Sequence, residues 1–450
     1  MFSLALRSVR QRPGRFVGTL LAAFLGAAVT MAFNSMHDTA GAAGVDDRSA
    51  ETLSLTGGIV GGYGTLLVFF AIASTLTVNV RQREEEMGLL RRTGATPAQI
   101  KRMVVGEAVL VALAATLLAI GPAMLGGNAL LDMFLDTEQV AAGVDFTFGP
   151  IALSAGFGIT LIAAAGAAYL AVRRATRAAA GAAGAAGAGE PSGRLRNVGG
   201  GLALVAGLGG VATTFAFESD DPALMAPAAW GAILLSIGLA AFSPALLRML
   251  LRRVGRPIGA MGAGGYLAVL NTRQRAAQLA GVLMPMVLFV GVATATIYVQ
   301  AVESDAIAAS GLARSVDDKN LESVNLIVVG IIVGFACIML INSLYAATSY
   351  RSREFGGQRL AGATPRQVLG MVLTEGLLLT VTGVVLGTAA GLAGLVPFNV
   401  VRTDTVWPEQ SPLVWFGIVA TAAAATVVTG WATARRALRT PAVVAVTKAA

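Results

Sequence analysis

Catalysis needs a nucleophile, a base, a metal set or a phosphate cradle, and this chain is short of all four. Its lysines are Lys101, Lys319 and Lys448, none preceded by Gly or followed by Ser or Thr. The Gly-rich loop ending in Lys-Ser/Thr that cradles ATP phosphates is therefore missing. One histidine, His37, and one cysteine, Cys337, cannot build a His/Cys metal site or a histidine-based nucleophile pair. Cys337 lies inside an apolar stretch and reads as packing. The chain is expected not to be an enzyme and to hold no cofactor or metal itself.

The informative spacing lies in a segment that occurs twice. Residues 86–107 align with 354–375 at a constant offset of 268, with eleven identities in twenty-two positions. Glu86, Gly88, Arg91, Gly94, Ala95, Thr96, Pro97, Gln99, Met103, Val104 and Glu107 recur as Glu354, Gly356, Arg359, Gly362, Ala363, Thr364, Pro365, Gln367, Met371, Val372 and Glu375. The order Gly-Ala-Thr-Pro-x-Gln has a physical reading. Gly94 suits the left-handed residue that ends a helix. Thr96 is a good N-cap, Pro97 suits the first helical position, and Gln99 at the third closes a capping box. The spacing predicts a helix ending near residue 92, a sharp turn, and a new helix from Pro97, with the same elbow at Gly362–Gln367. The run Arg81–Glu86 with Arg91 and Arg92 makes a dense charged surface on helical spacing. It fits either a solvated face or a docking face, and spacing does not choose between them.

The elements that carry these elbows are membrane spans. Of 450 residues, 55% are hydrophobic and only 13% charged, where a soluble domain carries about a quarter charged. Ten apolar segments fall near 16–33, 57–79, 105–125, 149–172, 198–217, 226–247, 279–300, 324–347, 372–396 and 412–434. With both ends inside, only Arg48, Arg314, Lys319 and Arg402 of the 33 Lys+Arg fall in external segments. Acidic residues lie mostly outside. That bias is the determinant of orientation. It also accounts for the formal net charge of +8 without nucleic acid, which is not expected as a partner.

The expected fold is an all-α polytopic membrane protein of about ten transmembrane helices, with N- and C-termini cytoplasmic. Arg10-Gln11-Arg12 before span one and Arg273-Gln274-Arg275 before span seven extend the repeat. Spans 1–4 and 7–10 then form two parallel four-helix units, joined by a two-helix hairpin. The expected boundaries are 1–173, first unit; 174–197, Ala/Gly-rich cytoplasmic linker; 198–250, hairpin; 251–436, second unit; and 437–450, cytoplasmic tail.

The string Arg81–Ile100 and the lead-in Leu4–Arg15 resemble the signature of the FtsX-like permease family, and the likeness extends over about 1–173 and 265–436. The resemblance implies the permease subunit of an ABC-type complex, of the ten-span type that includes bacitracin-export permeases. It implies cytoplasmic ABC ATPase subunits, a dimer, as partners that bind ATP and Mg. In the first elbow the implied ATPase-coupling residues are Glu86, Met87, Leu90, Arg91, Gly94, Ala95, Thr96, Pro97, Gln99 and Ile100. In the second they are Glu354, Arg359, Gly362, Ala363, Thr364, Pro365 and Gln367. The second copy departs from the pattern, reading Glu354-Phe-Gly-Gly-Gln-Arg359. The large external domain common in the family has no counterpart, because the external loops near 34–56, 126–148, 218–225, 301–323 and 397–411 are short.

Three functions follow. The first is ATP-driven export or extraction of an apolar or amphipathic substrate such as a lipid, peptide or drug-like molecule, with membrane lipid as a partner. The second is a mechanical relay to an external enzyme or a sensor kinase, which short external loops disfavour. The third, ion-driven transport, lacks mid-span carboxylates. Ala, Gly and Arg richness fits a bacterial plasma membrane protein. Glu107 and Glu375, at the inner starts of spans three and nine, read as interfacial charges or as ties from the elbow to a basic side chain. Asn79 and Asn342 read as interhelical hydrogen-bonding residues, and Gly57, Gly58, Gly61 and Gly62 as a helix-packing face. Pro122 and Pro285 are expected to kink or end their helices.

Overall fold

The computed structural model describes residues 16–58, 72, 75–76, 84–182, 191–219, 224–260, 262–309, 330, 333–334, 337–338, 340–341, 343–345, 348 and 351–447. Among them there are helices and no strands. Eight helices are long and apolar enough to cross a membrane. They overlap eight of the ten predicted spans. The other two, 57–79 and 324–347, lie for the most part outside the described residues, and Asn79, Asn342, Gly61 and Gly62 lie outside them.

The chain divides into two compact units. In the first, α1 (Val17–Ala40), α2 (Glu84–Arg92), α3 (Pro97–Asp136) and α4 (Pro150–Ala182) are the described helices, with a further helical stretch at 47–58. Helices α1, α3 and α4 pack on one another through small residues: Ala27, Ala119 and Ala123 are fully buried around Met31. Leu117, Leu118 and Leu125 point outward, Leu125 being 75% exposed, as expected for side chains that meet lipid. In the second unit the helices are α5 (Pro191–Thr213), α6 (Met225–Gly259), α7 (Ala263–Gln274), α8 (Ala276–Ala309), α9 (Ser352–Leu360), α10 (Pro365–Thr403), α11 (Leu413–Leu438) and α12 (Ala442–Thr447). The predicted hairpin is α5 and α6, and α6 packs directly against α8 and α10.

Glycine sets the closeness of that packing. Gly383, Gly387 and Gly391 on α10 fall one helical turn apart, and a Cβ at Gly391 would meet the Gly291 carbonyl oxygen of α8 at 2.9 Å. With no hydrophobic drive between helices in lipid, such close backbone approach is how dispersion contacts are gained.

Several helices outrun the spans predicted for them. At 40 and 39 residues, α3 and α10 are about 60 Å long, twice a bilayer's hydrocarbon core of about 30 Å. The predicted external loop at 126–148 is helical to Asp136, because Leu131 and Phe134 continue a buried face against Met36, Leu53, Val140 and Val144. The loop expected from 397 starts only after Thr403. Within the expected linker 174–197, α4 runs to Ala182 and α5 begins at Pro191, and alanine's high helix propensity suits the first of these extensions. Neither Pro122 nor Pro285 ends its helix.

Candidate functional site

The two elbows are built alike, atom for atom where both are described. Gly94 has φ +96° and Gly362 φ +98°, the left-handed region that glycine enters without steric cost. The Ala95 N–H donates to the Leu90 carbonyl at 2.9 Å, and the Ala363 N–H to the Gln358 carbonyl at 2.9 Å. In the second elbow the Gly362 N–H also donates to the Arg359 carbonyl at 3.1 Å. These are the bonds of a Schellman helix end.

Two residues later each elbow starts a helix through a complete capping box. The Gln99 N–H donates to Thr96 Oγ1 at 3.3 Å, and the Thr96 N–H donates to Gln99 Oε1 at 2.9 Å. The Gln367 N–H donates to Thr364 Oγ1 at 3.3 Å, and the Thr364 N–H to Gln367 Oε1 at 2.8 Å. Pro97 and Pro365 occupy the first helical turn. Each elbow is therefore two helices joined by a four-residue corner, and the second helix is α3 or α10.

The faces of the elbows differ. In the first, Met87 and Ile100 are buried, while Leu89, Leu90, Gly94, Thr96, Pro97 and Gln99 are exposed and Ala95 is partly so. The backbones of Glu86 and Arg91 lie in α2, but their side chains, like Arg81–Arg83, lie outside the described residues. In the second, Leu360, Gly362, Thr364, Pro365 and Gln367 are exposed at the corner and Ala363 is half-buried.

Phe355, which replaces Met87 of the first copy, and the matching Gly356 and Arg359 hold the second copy's helix in place. Phe355 is buried among Ala268, Val368, Met371, Val372 and Ala434. Arg359 Nη1 donates to the carbonyls of Leu438 and Thr440 at 3.1 and 2.9 Å. At Gly356 an added Cβ would lie 3.0 Å from the Ala442 carbonyl oxygen and from Ala445 Cβ, so α12 closes over α9 there.

Glu354 and Glu375, both marked in the sequence, meet on Arg351. Arg351 Nη2 and Nε donate to Glu354 Oε1 and Oε2 at 2.9 and 3.1 Å, and Arg351 Nη2 donates to Glu375 Oε1 at 3.0 Å. Arg351 Nη1 also donates to Glu375 Oε2. Arg275 Nη2 adds a bond to Glu354 Oε2 at 2.6 Å. Asn271 Nδ2 reaches Glu354 Oε1 at 3.1 Å and Glu375 Oε1 at 3.2 Å. Burial works against the Glu354 charge, but the hydrogen bonds and charge of Arg351, with Arg275 behind them, outweigh it and hold the carboxyl below its ordinary range. Of the two readings of Glu375, the tie to a basic side chain holds: its side chain is 11% exposed, too buried for an unpaired charge. Glu107, its counterpart, is also buried.

Arg351 and Asn271 were not singled out from sequence. The signal for Arg351 is its offset of 268 from Arg83, one turn before the paired glutamates. Among the described residues, no group of three or more His, Cys, Asp or Glu side chains could hold a metal ion.

A model of the FtsX-like permease C-terminal domain matches residues 58–180 and again 326–442. The two matches together span more than half of the chain. The protein belongs to the FtsX-like permease family. Each match contains one elbow and the long helix that leaves it. Membership and the eight apolar helices make this a multi-pass membrane permease, of a family that suggests the permease subunit of an ABC transporter and generally works with ABC ATPase partners. A search of curated proteins returns no match.

Proposed function

We propose that this FtsX-like permease couples ATP hydrolysis by a separate cytoplasmic ATPase dimer to export or extraction of an apolar or amphipathic molecule from the membrane. The observation that carries the reading is the pair of elbows. A hydrogen-bonded corner with an exposed outer face opens each of two continuous helices about twice as long as the bilayer core is thick. A push on the corner from the inner side is then delivered toward the outer side through one continuous helix. The coupling residues are Glu86, Met87, Leu90, Arg91, Gly94–Pro97, Gln99 and Ile100 in the first elbow, and Glu354, Arg359, Gly362–Pro365 and Gln367 in the second. The proposed arrangement has ten spans in two parallel repeats, with both termini inside, in a bacterial plasma membrane. The ATPase binds ATP and Mg; the permease itself turns over no substrate.

A second reading is a mechanical relay to an external enzyme or a sensor kinase without transport. What favours it is the folded outer end of each unit. In the first unit, Asp38 accepts from the Ile151 and Ala152 N–H groups at 3.0 and 2.8 Å, tying α1 to α4. In the second, Arg402 Nε and Nη2 grip Glu303 at 2.9 and 3.0 Å, and Tyr298 Oη donates to the Ser411 carbonyl at 3.0 Å.

The deciding experiment is reconstitution of the permease with a candidate ABC ATPase partner in lipid nanodiscs. Coupling predicts a complex whose hydrolysis rate depends on the permease and on both elbows. A complex that forms no contact at either corner rejects the reading. ATP-dependent loss of a fluorescent amphiphile from the bilayer separates transport from relay.

A further inference from the structure

The polar cluster around Arg351 does more than satisfy buried charge. Its members come from three helices: Asn271 and the adjoining Arg275 at the end of α7, Arg351, Glu354 and Gln358 at α9, and Glu375 on α10. One guanidinium faces both carboxylates, using Nε and both terminal nitrogens. Two arginines and two glutamates make the cluster neutral. The same Arg351 lies over the Phe355 ring, 5.2 Å from its centroid, and Phe355 is itself packed on Val368, Met371 and Val372 of α10. Polar and apolar halves of one joint therefore fasten α9 to α10 about two and three turns beyond the corner. In sequence, Arg83, Glu86 and Glu107 stand at the matching offset of 268, and Arg12 matches Arg275 in the lead-in, so the charge pattern occurs twice.

A corner closed only by Gly362 and a capping box could open or close as α9 is pushed. A charged strut across it cannot bend without separating buried opposite charges, which is costly in a medium of low dielectric. We propose that the Arg351–Glu375 bridge, supported by Glu354, Arg275 and Asn271, is a latch that fixes the angle between α9 and α10. Through it, displacement of the elbow becomes displacement of the long helix. This rests on the coupling reading for its consequence, but not for its existence.

Removing one partner would strand a buried charge and blur the test, so the main variant removes both. Arg351→Met with Glu375→Leu leaves Arg275 to balance Glu354, and exchanges a buried ion pair for apolar side chains of similar length, which is commonly neutral for stability. The full chain in nanodiscs should insert and melt as the wild type does. Amide hydrogen exchange should rise about tenfold or more across 352–360, in the range of coupling free energies between linked elements, and stay unchanged in the membrane core of α10. With the ATPase bound, stimulation of hydrolysis should fall by a similar factor. Unchanged exchange at 352–360 overturns the latch. Should the pair fail to fold, Glu375→Gln, which keeps the shape and loses the charge, must give the same local rise, and protection equal to wild type there overturns it as well. If the unaltered chain does not stimulate the ATPase, coupling is rejected while the exchange result still judges the latch.

Discussion

Substitution at Gly94 isolates the elbow's backbone from everything around it. At φ +96°, an added Cβ meets nothing within 4 Å among the described residues, so no clash contributes. What remains is the cost of placing an L-residue in the left-handed region, about 1–2 kcal/mol. Asparagine enters that region more readily than alanine, while proline is fixed near φ −65° and cannot enter it at all. The Schellman bond from Ala95 to Leu90 and the capping box at Thr96 flank this residue, so the strain is released by undoing the corner. At about 1.4 kcal/mol per factor of ten, Gly94→Ala should lower the population of intact corners, relative to opened ones, by about five- to thirtyfold. The expected order of ATPase stimulation in nanodiscs is Gly, then Asn, then Ala, with Pro abolishing it, while membrane insertion is equal in all four. Equal stimulation by Asn and Ala would show that left-handed geometry is not what matters. Full stimulation by Pro would show that the corner itself is not needed.

Replacing the N-caps, Thr96→Ala or Thr364→Ala, should cost about 1 kcal/mol each, read as faster amide exchange confined to the first turns of α3 and α10. Acidification should loosen the second elbow. Because Glu354 titrates below the ordinary glutamate value of 4.5, its stabilising contribution is complete above that value and is lost as pH falls through the lowered one; the protection of 352–360 relative to intrinsic exchange, measured from pH 6 to 3, should fall toward the acidic end. Gly356→Ala should displace α12, since the new Cβ would lie 3.0 Å from the Ala442 carbonyl oxygen, and a protease should then cut 440–447 faster than in wild type. A cysteine at position 48 should react with an impermeant reagent added outside, and one at position 101 should not.

How far sequence reached is clearest at the elbows. Gly94, Thr96, Pro97 and Gln99 act on neighbours within five residues, so their types and order are enough to give the turn, the cap and the helix start. Apolar length and the Lys/Arg bias are also properties of the chain itself, because the lipid that selects them is uniform along it. Helix ends beyond the apolar stretches were not readable in this way. Leu131 and Phe134 keep α3 helical past the apolar stretch only because Met36 and Leu53, distant in sequence, offer a face to bury against.

The polar joint divides the same way. Glu354 and Glu375 stood out by recurrence, but the pattern could not say whether a glutamate near a span's start meets water or an arginine. Arg351 and Asn271 are brought to them by folding across 24 and 104 residues of chain. Burial is what makes the meeting decisive: a carboxylate in water needs no particular neighbour, while one enclosed by helices needs a cation at hydrogen-bond distance. Local order along the chain thus determined that there are corners and membrane helices. Only the packing of α7, α9 and α10 decided which charges hold one corner at its angle.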